Sequence, residues 1–112
     1  MTALKLIEQA ASLIGTVGIE DSRIADIAKN AVNRIYCEIC FNEGIEFSEI
    51  KSINDEIKVS ERLFYEVMPY GVASLIAGAV GDGENQNYYG RIYNLKRKKH
   101  KESYVEDVIP VV

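Results

Sequence analysis

Four segments of the chain repeat their apolar residues every three or four positions, the spacing of an amphipathic helix. The first covers residues 3–14, follows Thr2, whose hydroxyl suits an N-cap, and ends at Gly15 or Gly18. Its apolar positions span about half of the helical wheel, which is wide for a helix on one small core. This width predicts contact with two surfaces, one of which is a candidate contact with another subunit.

The second helix is predicted to start at Asp21 or Ser22, both good N-cap residues, and to reach approximately Phe41. Asn42 and Gly44 then favour its end. Its apolar residues form one continuous stripe, made of Ile24, Ile27, Ala28, Ala31, Val32, Ile35 and Ile39. This is the most regular of the four patterns.

Residues 46–59 break the helical period. An alternating run at 57–59 follows a pair at 54–55, Asn-Asp, that is typical of a turn. These features predict a short hairpin or loop insertion between the second and third helices.

Ser60 can cap a third helix whose apolar residues keep helical phase from Leu63 to Ala79. Pro69 lies inside this run. Because a proline removes one helical hydrogen bond and clashes with the preceding turn, we predict a kink at residues 65–69. The small residues of segment 71–78 would let another helix approach closely.

The fourth helix is predicted to begin near Asn85 or Asn87, and Lys96 and Lys99 fall on the same arc as its apolar residues. The apolar members of that arc are Tyr88, Tyr89, Ile92, Tyr93 and Leu95. Tyrosines can stack on bases, but at helical spacing they more often form a core or interface face. The apolar pattern ends at Leu95, so the helix beyond it must leave the core or fray.

An acidic segment rich in valine, residues 103–112, closes the sequence. Pro110 forbids helix continuation and favours extended backbone in the residue before it. We therefore predict a mainly α fold. A domain of residues 1–102 holds four helices, one of them kinked at Pro69, and residues 103–112 form an extended C-terminal tail.

A length of 112 residues favours one domain, and a composition of 47% apolar and 27% charged residues is ordinary for a soluble globular protein. Lys5 and Glu8 interrupt the first apolar run, which argues against a signal peptide. The least polar stretch, residues 71–81, is shorter than the roughly 20 residues of a membrane helix. We expect a soluble, cytosolic product with no membrane contact.

Charge is distributed unevenly along the chain. Residues 1–90 carry a net charge of −7, residues 91–101 carry +6, and residues 102–112 carry −3. An acidic body with a single basic segment points to a partner at that segment. The basic residues can be a solvated helix end, a nucleic-acid contact or a docking site for an acidic protein. Candidate partner-binding residues are Arg91, Lys96, Arg97, Lys98, Lys99, Lys101, Tyr104, Val105, Val108, Ile109 and Pro110.

Signals for catalysis, metals and cofactors are weak. Cys37 and Cys40 form a C-x-x-C pair late in a helix, where two reduced cysteines are expected rather than a redox or zinc site. The single histidine, His100, lies among the lysines. The Gly-Asp-Gly run at 81–83 lacks the remainder of a phosphate loop and predicts a turn. We expect no enzyme, no cofactor and no metal.

The stretch PYGVASLIAGAVGDGENQNYYGRIYNLKRKK, residues 69–99, resembles the small head–tail connector proteins of tailed bacteriophages. The terminal VEDVIP, residues 105–110, is similar to the acidic, proline-containing tail of that family. These are neck or head-completion adaptors that assemble beneath the portal. The N-terminal helices match only in length and order.

The resemblance implies a mainly helical structural protein of a phage or prophage virion neck, assembled in the bacterial cytoplasm and without enzymatic activity. Its copies would form a ring of about twelve around the DNA exit channel, between the portal and a tail-side adaptor. DNA would pass through without sequence-specific binding. A ring needs two surfaces per subunit, for which the wide face of the first helix and the small residues at 71–78 are candidates.

Within this tail, residues 104–110 are predicted to lack a fixed place in an isolated subunit and to dock in extended form on a neighbouring subunit or the portal. An alternative function is a small DNA-binding regulator that uses residues 91–101. The acidic body argues against it, because its negative charges would repel phosphates.

Overall fold

The computed structural model describes residues 1–15 and 22–108. These form four α-helices, and 76% of the structure is helical. The helices are α1 (Ala3–Ile14), α2 (Ser22–Glu43), α3 (Met68–Ala79) and α4 (Gly83–Val108). The described segments contain no strand, only an isolated bridge between Thr2 and Glu56. The predicted mainly α fold is confirmed.

Helix α3 lies at the centre of the molecule and contacts all three other helices. Most of its residues are buried, so its sequence is apolar on nearly every side. The preceding Phe64 is completely buried, as are Leu6 of α1 and Val32 of α2. These side chains form one continuous core around α3.

Helix α1 begins and ends as its sequence predicts. The Thr2 hydroxyl accepts a hydrogen bond from the Lys5 amide at 3.2 Å, and Gly15 ends the helix with a φ of +73°. The helix contacts α2 and α3, and the Leu4 amide donates to the Ile53 carbonyl at 2.7 Å. The wide apolar face of α1 is therefore packed against more than one segment of its own chain.

The segment between α2 and α3 is a loop rather than a hairpin. Ile50 and Ile57 anchor it in the core. The Asn33 side chain of α2 accepts from the Ile50 amide at 2.8 Å and donates to the Ile50 carbonyl at 3.0 Å. The Tyr36 hydroxyl accepts from the Lys58 amide at 3.1 Å. Side chains of α2 thus bond loop amides that a partner strand would bond in a hairpin.

A π-helical turn, Leu63–Val67, leads directly into α3. Its wider hydrogen bond runs from the Met68 amide to the Leu63 carbonyl. Pro69 lies in the first turn of α3, where a missing amide hydrogen is tolerated. The bend at Pro69 stays a prediction.

Helix α4 begins at Gly83, earlier than predicted, because Asp82 caps it. The Asp82 carboxylate accepts from the Asn85 amide at 3.1 Å and from the Asn85 side chain at 2.7 Å. The helix extends to Val108, so the extended tail predicted from residue 103 does not begin there. An established helix adds residues without a new nucleation cost, and Pro110 is the first residue that opposes it. The rest of the predicted tail, residues 109–112, lies outside the described residues.

The small residues of α3 form the contact with α4. A Cβ atom added at Gly71 would lie 2.8 Å from Cδ1 of Ile35 and 2.9 Å from the Tyr93 ring. The Ser74 hydroxyl donates to the Gln86 carbonyl at 2.7 Å. The prediction that this face meets a neighbouring subunit is therefore wrong, because α4 of the same chain covers it.

Among the described helices, none combines the length and apolar character that crossing a membrane requires.

Replacing Asn33 with alanine should lower the free energy of unfolding by roughly 2 kcal/mol, because two partly buried backbone groups of Ile50 lose their partners. Urea denaturation measures the change. Asn30→Ala, an exposed position on the same helix, is the matched control and should be close to neutral. Equal effects of the two substitutions would contradict this role for Asn33.

Replacing Gly71 with alanine should destabilise the protein by about 1–3 kcal/mol relative to Gly83→Ala, because the new methyl group forces Ile35 and Tyr93 to move. Gly83 has nothing within 4 Å of an added Cβ and also lies in a helix. Thermal or urea unfolding of both variants checks the difference. Similar stabilities would mean that α4 does not need this close approach.

Candidate interaction surface

The basic segment of α4 lies beside the C-terminal half of α2. Nη1 of Arg97 donates to Oε1 of Glu38 at 2.9 Å, and the Tyr93 hydroxyl donates to the same oxygen at 3.3 Å. The Arg97 guanidinium also lies 5.0 Å from the centre of the Tyr93 ring. Arg97, predicted as a partner-binding residue, thus binds a side chain of its own chain.

Two further residues of this segment lie against the body. Nε2 of His100 is 3.3 Å from Oε1 of Glu43, the last residue of α2. Nζ of Lys96 lies 4.8 Å from the centre of the Tyr70 ring. Because Glu38 pairs with Arg97 and Glu43 with His100, α2 and α4 run in the same direction here. Eight residues of α4 lie beyond His100, about 12 Å at the usual helical rise.

The remaining predicted cations are exposed: Arg91, Lys98, Lys99 and Lys101. Lys98 and Lys101 line a cavity of about 360 Å³ with residues from the end of α2, whereas Lys99 lines another with Arg62 and Glu66. Tyr104, Val105 and Val108 belong to α4 by their backbone. Ile109 and Pro110 lie outside the described residues. The basic segment therefore holds two kinds of residue, those that contact other helices of the chain and those that are exposed to a partner.

The tyrosine arc is only partly a core face. Tyr93 is buried, and the Tyr89 hydroxyl donates to the Leu13 carbonyl at 2.7 Å, which ties α4 to α1. Tyr88 is 57% exposed and Leu95 69% exposed, so these two residues are not in the core. The apolar arc of α4 therefore packs against the other helices over only part of its length.

A groove between α2 and α4 was missed by sequence reasoning. It consists of two adjoining cavities, about 440 and 360 Å³, that share Asn42 and Arg97. Phe41, which is 86% exposed, lines it together with Arg34 and Cys37. The available signal was that Phe41 lies off the apolar stripe of α2. We call this surface the α2–α4 groove.

The cysteines differ in environment. Cys40 is completely buried, and burial, followed by the nearby Cys37, raises the pKa of its thiol. Cys37 is exposed, and both thiols are free. Within residues 1–15 and 22–108, no cluster of three or more potential ligands could hold a metal ion. In the Gly-Asp-Gly run, Gly81 has a φ of +85° and Asp82 is the cap of α4, as a turn requires.

No family model, no curated protein and no solved structure matches this chain. The case for any function therefore rests on the residues of the chain itself.

Burial and then the Glu38 carboxylate raise the pKa of Tyr93 from 10.0 to about 12. The folded protein therefore holds this proton more tightly than the unfolded chain. Stability that is fully present below pH 10 should be lost as the pH rises towards 12. Urea denaturation across this range should show a steeper loss for the natural protein than for Tyr93→Phe. Parallel curves for the two proteins would contradict the assignment.

Proposed function

We propose that the protein is a structural head–tail connector of a tailed phage or prophage. Its copies assemble as a ring of about twelve beneath the portal and join the head to the tail. It acts in the virion neck after assembly in the bacterial cytoplasm, without catalysis or a cofactor. The resemblance of residues 69–99 and 105–110 to that family is the origin of the proposal.

One observation carries the proposal furthest. Helix α4 continues beyond the end of α2, and exposed lysines at positions 98, 99 and 101 lie where the two helices separate. Acidic residues at 102, 106 and 107 follow on the projecting part. A helix that leaves an acidic body with charges of both signs suits contact with charged partner surfaces. A connector must make such contacts with the portal, with a tail-side adaptor and with its own copies.

The internal contacts of α4 also support a structural role. Arg97, Lys96 and His100 are anchored to the body, which fixes the direction in which the helix leaves it. A fixed direction is useful in a ring, since every copy must present the same surface at the same angle.

The alternative, a DNA-binding regulator, has fewer cations available than its sequence suggested. Two of the six cations in residues 91–101 contact side chains of the body, and the body remains acidic. We therefore propose that DNA passes through the ring without sequence-specific binding.

The test mixes the purified protein with the portal protein encoded at the same locus and measures the mass of the complex. We expect a ring on the portal, and truncation after Glu102 should weaken its assembly because the projecting helix loses its end. An unchanged truncated complex would contradict the role of the tail, and no complex with the natural protein would contradict the connector function.

A parallel measurement separates the alternative. Binding of duplex DNA at physiological salt, lost when Lys98, Lys99 and Lys101 are replaced with glutamine, would favour a regulator. Gel filtration without the portal is not decisive, because a connector can stay monomeric until it meets the portal.

A further inference from the structure

The α2–α4 groove has the composition of a docking site. Phe41 presents an aromatic side chain with 86% of its surface exposed. Three cations, Arg34, Lys98 and Lys101, line the groove and make no ion pair within the described part of the chain. The groove also holds two carboxylates, of which Glu38 pairs with Arg97 and Glu43 contacts the His100 ring, so four cations stand against two carboxylates along its walls. An occupant must therefore be acidic and carry apolar side chains.

A segment of this same sequence has that composition. Residues 102–110, ESYVEDVIP, contain three carboxylates and no cation, with valine, isoleucine and tyrosine between them. Its three carboxylates would match the three unpaired cations of the groove in charge, and its apolar residues would suit Phe41.

Beyond Glu102, the segment cannot enter the groove of its own chain. Residues 103–108 continue α4 in the direction that leads away from α2. Val108 is eleven residues beyond Arg97, about 16 Å along the helix. Two further residues, Ile109 and Pro110, span at most about 7 Å. The segment can therefore reach the groove around Arg97 and Phe41 only from another copy.

We propose that residues 102–110 of one copy dock in the α2–α4 groove of a second copy, with their carboxylates at Arg34, Lys98 and Lys101 and their apolar side chains on Phe41. The inference rests on the proposed ring, since it names the donor and the receiving surface of the contact between neighbours. A tail on one side and a groove on the other form a head-to-tail contact, which closes into a ring when the rotation between copies permits.

Cys37 allows a direct test, because it is exposed and lines the groove. A full-length copy with Cys37→Ser and a new cysteine at Val105 or Val108 is mixed with a tagged natural copy and mildly oxidised. We expect a disulfide between the tail of the first and Cys37 of the second, seen as a heterodimer on a non-reducing gel. Phe41→Ala in the natural copy should reduce the yield severalfold, whereas Leu95→Ala, at another largely exposed apolar position outside the groove, should not.

The placement control is a copy with Cys37→Ser and Glu8→Cys, which carries an exposed thiol on α1 instead of the tail. It should give only the background yield with the natural copy. A tail cysteine that crosslinks no better than this control would overturn the proposal.

Charge complementarity is tested with a labelled peptide of residues 102–112 and the full-length protein, by fluorescence anisotropy. The double variant Lys98→Glu, Lys101→Glu should bind the peptide about tenfold more weakly or worse. Lys58→Glu, Lys99→Glu makes the same change of net charge at exposed positions outside the groove and should bind within about twofold of the natural protein. Equal binding of a scrambled peptide, or equal loss in both variants, would reduce the contact to unspecific charge attraction and overturn the proposal.

The two proposals fail separately. Ring assembly on the portal with no crosslink to Cys37 would overturn the tail–groove contact and leave the connector function in place. Crosslinking with no assembly on any portal would support the contact and contradict the connector function.

Discussion

The close contact between α3 and α4 is the constraint on which the rest of the structure depends. Gly71 of α3 leaves no room for a side chain, since an added Cβ would lie 2.9 Å from the Tyr93 ring of α4, and a Cβ added at Gly90 of α4 would lie 3.1 Å from the Ser74 hydroxyl. Small residues let the two backbones approach, and Ser74 donates across the contact to Gln86. The position and direction of α4 follow from this contact. Without it, the basic segment would have no fixed place beside α2.

Glu38 then determines which charges of α4 remain available. Its carboxylate accepts from both Arg97 and Tyr93, and Tyr93 is buried beneath the pair. A carboxylate with two donors in a partly buried site holds the guanidinium more firmly than an exposed ion pair would. Lys98 and Lys101 lie next to this contact but outside it. Glu38 of α2 thus makes Arg97 a structural residue and leaves Lys98 and Lys101 free to contact a partner.

The α2–α4 groove is a consequence of both contacts. Helices that run side by side in the same direction leave a cleft between their side-chain rows, and here Phe41 and Arg34 lie on one wall of it. The cleft is open because α2 ends at Glu43 while α4 continues. A surface of this kind, next to a projecting helix of opposite charge pattern, supports the proposed assembly from like copies.

Local sequence was sufficient for the helices and for several of their ends. Thr2, Ser60 and Gly15 act through neighbours only a few residues away, and the apolar stripe of α2 follows directly from its period. The end of α4 was predicted too early. The prediction relied on the apolar pattern, which ends at Leu95, whereas a helix that has formed continues until a residue opposes it.

The partners of each face were decided only by the tertiary structure. The small residues of α3 would fit any helix, and only the fold shows that α4 of the same chain covers them. Likewise, the six cations of residues 91–101 look equivalent in the sequence. Only the fold shows that Arg97 is the one that binds Glu38, which lies 59 residues away in the chain. The sequence by itself thus determined where helices form, because helical hydrogen bonds and caps are local. Which residues stay exposed for a partner depends on long-range packing, and that only the folded chain decides.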